Sequence, residues 1–381
     1  MVFSLKSVLR TANIFDVSPD TNEFFHIIAF FVARVQQVTQ FPHRIKYLPF
    51  WQILTIKMCQ FTKIVVTLHP DFRHEANIHM ENNKIEQNEP QQEPQAQQPT
   101  QDGQATPIKP DILDYDDIRK LVPFFDGKPK LVKWLFHLFD MDDANWIHGH
   151  NCHTPGVPFC TGVLKDLNAT ITYDNGEVLD NLPEGPFITV TNHPFGAVDG
   201  VMMIHIIGTH RPDYKFMVNM LLSKIGGMMP NFITVDALAS DDPAKRAVSM
   251  QGISDTLKHV KAGHPMGFFP AGAVSKLTWK LRVEDREWQP VIMRLIQKLK
   301  VPVIPIYIHG HNSWISLVLG AISWKLRTLR LPSEMFRRKS YDFRVSVHDP
   351  IMPEEYAQYK TPEELGVFLK NETYKMKKWQ R

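Results

Sequence analysis

Ile188-Thr189-Val190-Thr191-Asn192-His193-Pro194-Phe195-Gly196-Ala197-Val198-Asp199-Gly200 is the stretch on which the reading of this chain turns. Its first four residues are all β-branched, a composition that suits a strand. Pro194 and Gly196 then impose a turn. An apolar run, Val201-Met202-Met203-Ile204, follows at once, so Asp199 stands at the start of a helix. A strand that ends on Asn-His, with an acid on the next helix, brings an imidazole and a carboxylate to a strand's carboxyl end. In open α/β sheets that is where ligands bind. A continuous helix would point His193 and Asp199 in different directions. A bent loop instead folds Asp199 back onto one ring nitrogen and leaves the other free to take a proton from a hydroxyl. The plainer reading is a core histidine and a helix cap, each satisfied by hydrogen bonds.

Outward from this stretch, strand-like runs fall at 169–173, 187–190, 215–218, 232–235, 266–269, 303–308 and 343–347. Helical patterns at 197–209, 243–261 and 288–299 alternate with them. Such alternation predicts an α/β fold, a mixed and mainly parallel sheet covered by helices on both faces. Thr361, Pro362 and Glu364 form a capping box that opens a last helix. Before the sheet, Ile118, Leu121 and Val122, then Leu131, Trp134, Leu135 and Leu138, recur at helical spacing and predict a short helical pair. Pro155-Gly156-Val157-Pro158 reads as a connecting loop.

Three further blocks follow the first. Asp242-Pro243-Ala244-Lys245-Arg246 opens a helix, with Asp242 as N-cap. Gly267-Phe268-Phe269-Pro270-Ala271-Gly272-Ala273-Val274-Ser275-Lys276 follows a strand. Val301-Pro302-Val303-Ile304-Pro305 comes last. In this order the four blocks resemble the PlsC-like glycerolipid acyltransferase family. The five residues between His193 and Asp199, and Ala271 where the main family has Glu, resemble its hemolysin-like bacterial branch. His309-Gly310-His311-Asn312-Ser313 and Leu326-Arg327-Thr328-Leu329 look like that branch too. The resemblance covers roughly residues 180 to 350.

The resemblance implies a membrane-associated acyltransferase. A fatty acyl chain would pass from a thioester, acyl-CoA or acyl carrier protein, to a hydroxyl of a lysolipid. His193 would be the general base and Asp199 its orienting acid. Backbone N–H groups near Phe269, Pro270 and Gly272 would cover the oxyanion, since glycine lets the main chain approach closely. Asn192, Arg246, Ser275 and Lys276 join these as substrate-binding candidates. Arg246 sits in a helix's first turn, where a cation is disfavoured by the dipole unless an anion meets it; the plainer reading is a solvated surface arginine. Because Ala271 carries no charge and Lys276 is a point charge rather than a fork, a phosphate-bearing acceptor is not specified. The branch also includes enzymes that O-acylate an N-acylated amino acid, giving ornithine- or glycine-type lipids, and these are an alternative acceptor class. A second alternative is a non-catalytic, hemolysin-like membrane-binding protein. A hydrolase is a third, although no Gly-x-Ser-x-Gly elbow occurs. No cofactor beyond the thioester co-substrate is implied.

Composition sets the remaining bounds. Hydrophobic residues make up 43% of the 381, and a formal net charge of +3 carries no nucleic-acid signature. The stretch 325–339 is locally basic through Lys325, Arg327, Arg330, Arg337, Arg338 and Lys339, and it follows an apolar, Trp-flanked run at 314–324. This pattern suits an anionic bilayer surface. The uncharged run 301–324 is broken by Pro302, Pro305, Gly310 and polar residues, so it reads as strand, loop and short helix rather than as a membrane span. Peripheral attachment at the cytoplasmic face of the membrane is therefore expected. Cys59, Cys152 and Cys160 make no disulfide framework. Cys152 and Cys160 lie among His148, His150 and His153 at spacings that match no closed zinc site, and no metal is expected.

Four regions are expected. Residues 151–381 form the acyltransferase domain and 111–150 the helical pair, a candidate for membrane docking. The Gln/Pro-rich stretch 80–110 has too little apolar surface to fold. Residues 1–79 show no clean period; Met80 is a candidate native start, with 1–79 an extension ahead of it.

Overall fold

The structure is a computed structural model that describes residues 108–236, 243–278, 281–322 and 324–379. The expectations drawn for 1–79, for most of 80–110 and for Asp242 lie outside the described residues.

Seven strands form one sheet, each within a residue or so of its expected position. They are β1 (Thr170–Asp174), β2 (Ile188–Thr191), β3 (Lys215–Asn219), β4 (Phe232–Val235), β5 (Met266–Phe268), β8 (Val303–Ile308) and β9 (Asp342–Val347); β6 (Lys276–Leu277) and β7 (Val283–Glu284) pair separately as a hairpin. The large sheet runs β1-β9-β8-β2-β5-β3-β4. From β8 to β4 all neighbours are parallel; β9 pairs antiparallel with β8 and parallel with β1. The sheet is thus mixed and mainly parallel.

Both faces are covered, because alternate residues of a strand point to opposite sides. Ile188 and Val190 of β2 pack with Met266 and Phe268 of β5 against Ile292 and Ile296 of the helix Pro290–Leu299 and Leu365 and Leu369 of the helix Pro362–Lys375. Ile304, Ile306 and Ile308 of β8 face the other way. They join Phe343, Phe187 and the helix Ala197–His210, which buries Val198, Val201, Met202, Met203, Ile204, Ile206 and Ile207. A helix apolar nearly all round is a central one. At the last helix, the Thr361 hydroxyl accepts from Glu364 N–H at 3.2 Å while the Glu364 carboxylate accepts from Thr361 N–H at 3.1 Å.

Two expectations are corrected. The helical pair appears as Tyr115–Leu121 and Pro129–Leu138; a further helix, Met141–Asn151, follows it, and another, Val157–Asp166, begins within the stretch 155–158 that was read as a loop. Pro158 sits in the first turn of the second of these, where its missing N–H is no loss, and Gly156 enters it at φ 87°. Cys160 is buried within that helix, and burial pushes its thiol well up. The second correction concerns the basic stretch, whose cations do not form one outward face. Arg327 is buried. Arg330 lies 3.8 Å from Glu334, and Arg338 covers the rings of Phe195 and Tyr341 at 4.6 and 4.7 Å. Among the described residues no helix is long and apolar enough to cross a membrane.

Candidate active site

Three neighbouring strands deliver their carboxyl ends to one place. β2 leads into His193, β5 into the loop at 269–275, and β8 into His309–Asn312. Asn192 ties two of them together. Its side-chain amide donates to the Ile308 carbonyl at 2.9 Å and accepts from Ile308 N–H at 2.7 Å. Asn312 reaches back and donates to the Phe195 carbonyl at 3.1 Å.

The turn after β2 then folds as its residues demand. Gly196 takes φ 98°, open to glycine alone at little cost, and caps the helix Ala197–His210. This turns Asp199, fully buried in the helix's first turn, back toward the strand. One carboxylate oxygen, Oδ2, accepts from His193 Nδ1 at 2.8 Å, from Phe195 N–H at 2.8 Å and from Gly196 N–H at 2.9 Å. The other, Oδ1, is sealed and has no hydrogen-bond partner among the described residues. An anion in the first turn of a helix also gains from the dipole.

His193 is held from three sides. Asp199 fixes its edge. The Phe269 ring stacks on its face, with centroids 3.9 Å apart and planes 14° from parallel. Its carbonyl accepts from Ser275 N–H at 2.8 Å. The imidazole keeps 16% exposure, and Nε2 makes no hydrogen bond among the described residues. A ring whose Nδ1–H is pinned by a carboxylate presents Nε2 as a base.

The loop at 269–275 makes its turn through Gly272 at φ 64°, where a Cβ would run into the Gln289 side chain. Pro270's carbonyl accepts from Gln289 N–H at 2.8 Å. Gly272 N–H is committed to the Phe269 carbonyl at 2.9 Å and Ser275 N–H to His193. Pro270 has none. The N–H groups of Ala271, Ala273 and Val274 make no hydrogen bond among the described residues, whereas that of Gly272 is committed.

A sequence profile described as acyltransferase matches residues 120–380. The chain belongs to this acyltransferase family. Among curated relatives, the acyltransferase is 28% identical over 279 residues to a lyso-glycine lipid O-acyltransferase of Phocaeicola vulgatus, covering 68% of this chain and 94% of the relative. It is 27% identical over 269 residues to a lyso-glycine lipid O-acyltransferase of Bacteroides thetaiotaomicron, covering 68% and 92%. A solved structure, the 1-acyl-sn-glycerophosphate (LPA) acyltransferase PlsC of Thermotoga maritima, overlaps 70% of this chain and 95% of its own at 16% identity. Its TM-score of 0.38 is too low to bear on the fold.

The structure also places the four other polar residues singled out in the sequence of the acyltransferase. Asn192 is 2% exposed and both ends of its amide hold Ile308, so it braces the strand ends instead of facing a substrate. Ser275 is 3% exposed, and its hydroxyl donates to Asp285 at 2.5 Å. Lys276 lies in β6 opposite Glu284. Arg246 is exposed on the helix Pro243–Lys261, and no bond joins it to the His193 group among the described residues.

Asp285 is the residue that sequence reasoning missed. In the run Glu284-Asp285-Arg286-Glu287 it looks like solvated charge, yet it is 6% exposed. Its Oδ1 accepts from Ser275 Oγ and, at 3.3 Å, from His193 N–H; its Oδ2 accepts from Trp288 Nε1 at 3.4 Å. Asp285 N–H donates to the Tyr374 hydroxyl at 2.8 Å. Burial raises its carboxyl above the ordinary range, against the pull of the Ser275 and His193 donors. Thus one buried acid grips the imidazole and a second grips the same residue's main chain. Trp288, two places before the Pro that opens the next helix, was the one available signal.

Proposed function

We propose that this acyltransferase moves a fatty acyl group from an acyl thioester to the hydroxyl of a lysolipid whose head is an N-acylated amino acid. The observation that carries the reading is His193, held at Nδ1 by Asp199 2.8 Å away and without a hydrogen bond at Nε2 among the described residues. His193 Nε2 takes the proton of the acceptor hydroxyl as its oxygen attacks the thioester carbonyl carbon. A C–O bond forms, and the carbonyl oxygen becomes an oxyanion, for which the N–H groups of Ala271, Ala273 and Val274 are the candidate donors. Collapse breaks the C–S bond. The leaving thiolate takes the proton back from the imidazolium, so the products are an ester and a free thiol. Asp199 stabilises the imidazolium in between, as a buried carboxylate does in hydrolytic triads. No covalent acyl-enzyme is required, because the thioester is already activated. The names of the two curated relatives support the acceptor class, and Ala271, uncharged, does not favour a phosphate there.

The donor is acyl-CoA or acyl carrier protein, and the protein works as a peripheral protein on a bilayer. Supporting this, the helices before the sheet leave Leu121, Phe124, Trp134, Leu138 and Trp146 between 48% and 64% exposed. Apolar rings in such number on one segment mark an interaction surface.

Labelled acyl-CoA or acyl carrier protein with N-(3-hydroxyacyl)glycine as acceptor tests the reading. His193→Ala should lower turnover by about 1,000-fold, the scale of a lost general base, with an unchanged melting temperature. Transfer at near-normal rate would remove His193 from the role.

A further inference from the structure

The helix Trp324–Phe336 lays one face along the turn that holds His193 and Asp199. Leu331 reaches Gly196, where a Cβ would stand 2.8 Å from the leucine's Cδ2. One turn earlier on the same face is Arg327. Only 7% of it is exposed. Its stem lies against Gly320, where a Cβ would stand 2.8 Å from the arginine's Cδ, so glycine there makes the room. Its Nη1 donates to the Val274 carbonyl at 3.0 Å. The next residue, Ser275, is the one that donates to His193. The guanidinium therefore sits one residue away from the contact that holds the base.

Its charge is unanswered. Among the described residues no carboxylate comes within ion-pairing distance of it; Glu334, on the same helix, pairs with Arg330 and accepts from Ser313 N–H. The neighbouring charge that acts on it is another cation, Arg286, and this together with burial, the larger cause, holds its pKa below the usual arginine range. Burying an unpaired cation is costly, and buried charges in proteins are as a rule paired. Arginine offers five N–H donors in a fork, and one is occupied here. Nη1 is the nitrogen bonded to the loop; Nε and Nη2 make no hydrogen bond among the described residues.

Resting on the lysolipid reading above, we propose that Arg327 receives the carboxylate of the acceptor's amino-acid head. A carboxylate is a monoanion whose two oxygens match a single guanidinium fork. In an N-(3-hydroxyacyl) amino acid the reacting hydroxyl and the carboxylate are a few bonds apart on one short head. His193 and Arg327 bond to adjacent residues of the same loop, Ser275 and Val274, and the proposal has one acceptor span them. The site then selects lysolipids with a free acid over uncharged ones.

The test compares N-(3-hydroxyacyl)glycine with its primary amide, which differs in lacking the carboxylate. The native enzyme should favour the acid by about 10- to 100-fold in kcat/KM, the scale of a hydrogen bond to a charged group, with most of the difference in KM. Arg327→Gln should abolish the preference, the two acceptors then reacting alike, and Arg327→Lys should keep part of it. An acid-to-amide ratio near one in the native enzyme would overturn the assignment without any variant. So would an unchanged ratio in Arg327→Gln, or, if that variant does not fold, an unchanged ratio in Arg327→Lys. A KM effect of Arg327→Gln confined to acyl-CoA, and absent with acyl-pantetheine, would give the anion to the donor's phosphates and refute it as well. A native enzyme inactive on both acceptors removes the lysolipid reading, and the carboxylate assignment falls with it.

Discussion

The helices between Tyr115 and Asn151 and the helix Trp324–Phe336 differ in what they leave exposed. The later segment is the basic one and looks made for an anionic surface. In the fold Arg327 turns toward the loop at 269–275, Arg330 toward Glu334, and Arg338 lies over Phe195 and Tyr341 while donating to the His311 carbonyl. Among the residues near it whose exposure is described, the exposed large apolar ones are Trp314, Ile315 and Leu329. The earlier helices carry a less evident signal, yet they leave three aromatic rings and two leucines uncovered. Cation count in a sequence says little about which way the cations face. An arginine stem is apolar, and its planar head stacks on rings, so it goes inward more readily than its charge suggests.

This contrast can be broken at several points. Replacing Phe124, Trp134 and Trp146 together by Ser should weaken sedimentation with phosphatidylglycerol-containing vesicles by about 100-fold, given the apolar area that three rings carry. The melting temperature should hold. Undiminished sedimentation would end the claim that these helices meet the bilayer. A smaller effect is expected from Arg338→Ala. It removes a cation stacked on two rings beside the Asp199 turn, a contact of about 1–2 kcal/mol when desolvated, so thermal unfolding should shift down by a few degrees. Vesicle binding should not change; a loss of binding with intact stability would return Arg338 to the membrane face. Smallest of all is the paired change Arg337→Ala and Lys339→Ala. Both residues are exposed, and each would contribute about 1 kcal/mol if it faced anionic lipid. Binding that falls less than twofold, even at low salt, fits helices 115–151 as the docking surface. A tenfold fall would divide the role between the two regions.

Much of the sheet was legible in the sequence. The seven strands announce themselves as short apolar or β-branched runs between turn residues, most plainly β2 and β8, which are buried throughout and lack polar interruptions beyond threonine and tyrosine. The His193–Asp199 geometry was legible too, since Pro194 and Gly196 leave the chain little choice but to turn. The β6–β7 hairpin was not, as two-residue strands have no period to detect. The helix Val157–Asp166 was hidden by Pro155, Gly156 and Pro158, which punctuate a helix start as readily as a loop. The largest omission at the site, Asp285, follows from its neighbours. A buried acid flanked by Glu284, Arg286 and Glu287 is indistinguishable in sequence from a solvated run. The opposite error befell Asn192 and Ser275. They belong to the block beside the base, but their polar atoms face Ile308 and Asp285, and only the path of the chain decides that.

The clamp on the imidazole has a consequence for turnover. Ring plane, tautomer and loop position are all settled by Asp199, Phe269 and Ser275 before anything binds. With His193 as the proposed general base, the loss of rotational freedom that such a base must undergo is met once, when the chain folds, and is not repeated in each cycle. Binding energy from the long acyl chains can then go to bringing two lipids together, the part of the barrier that proximity removes.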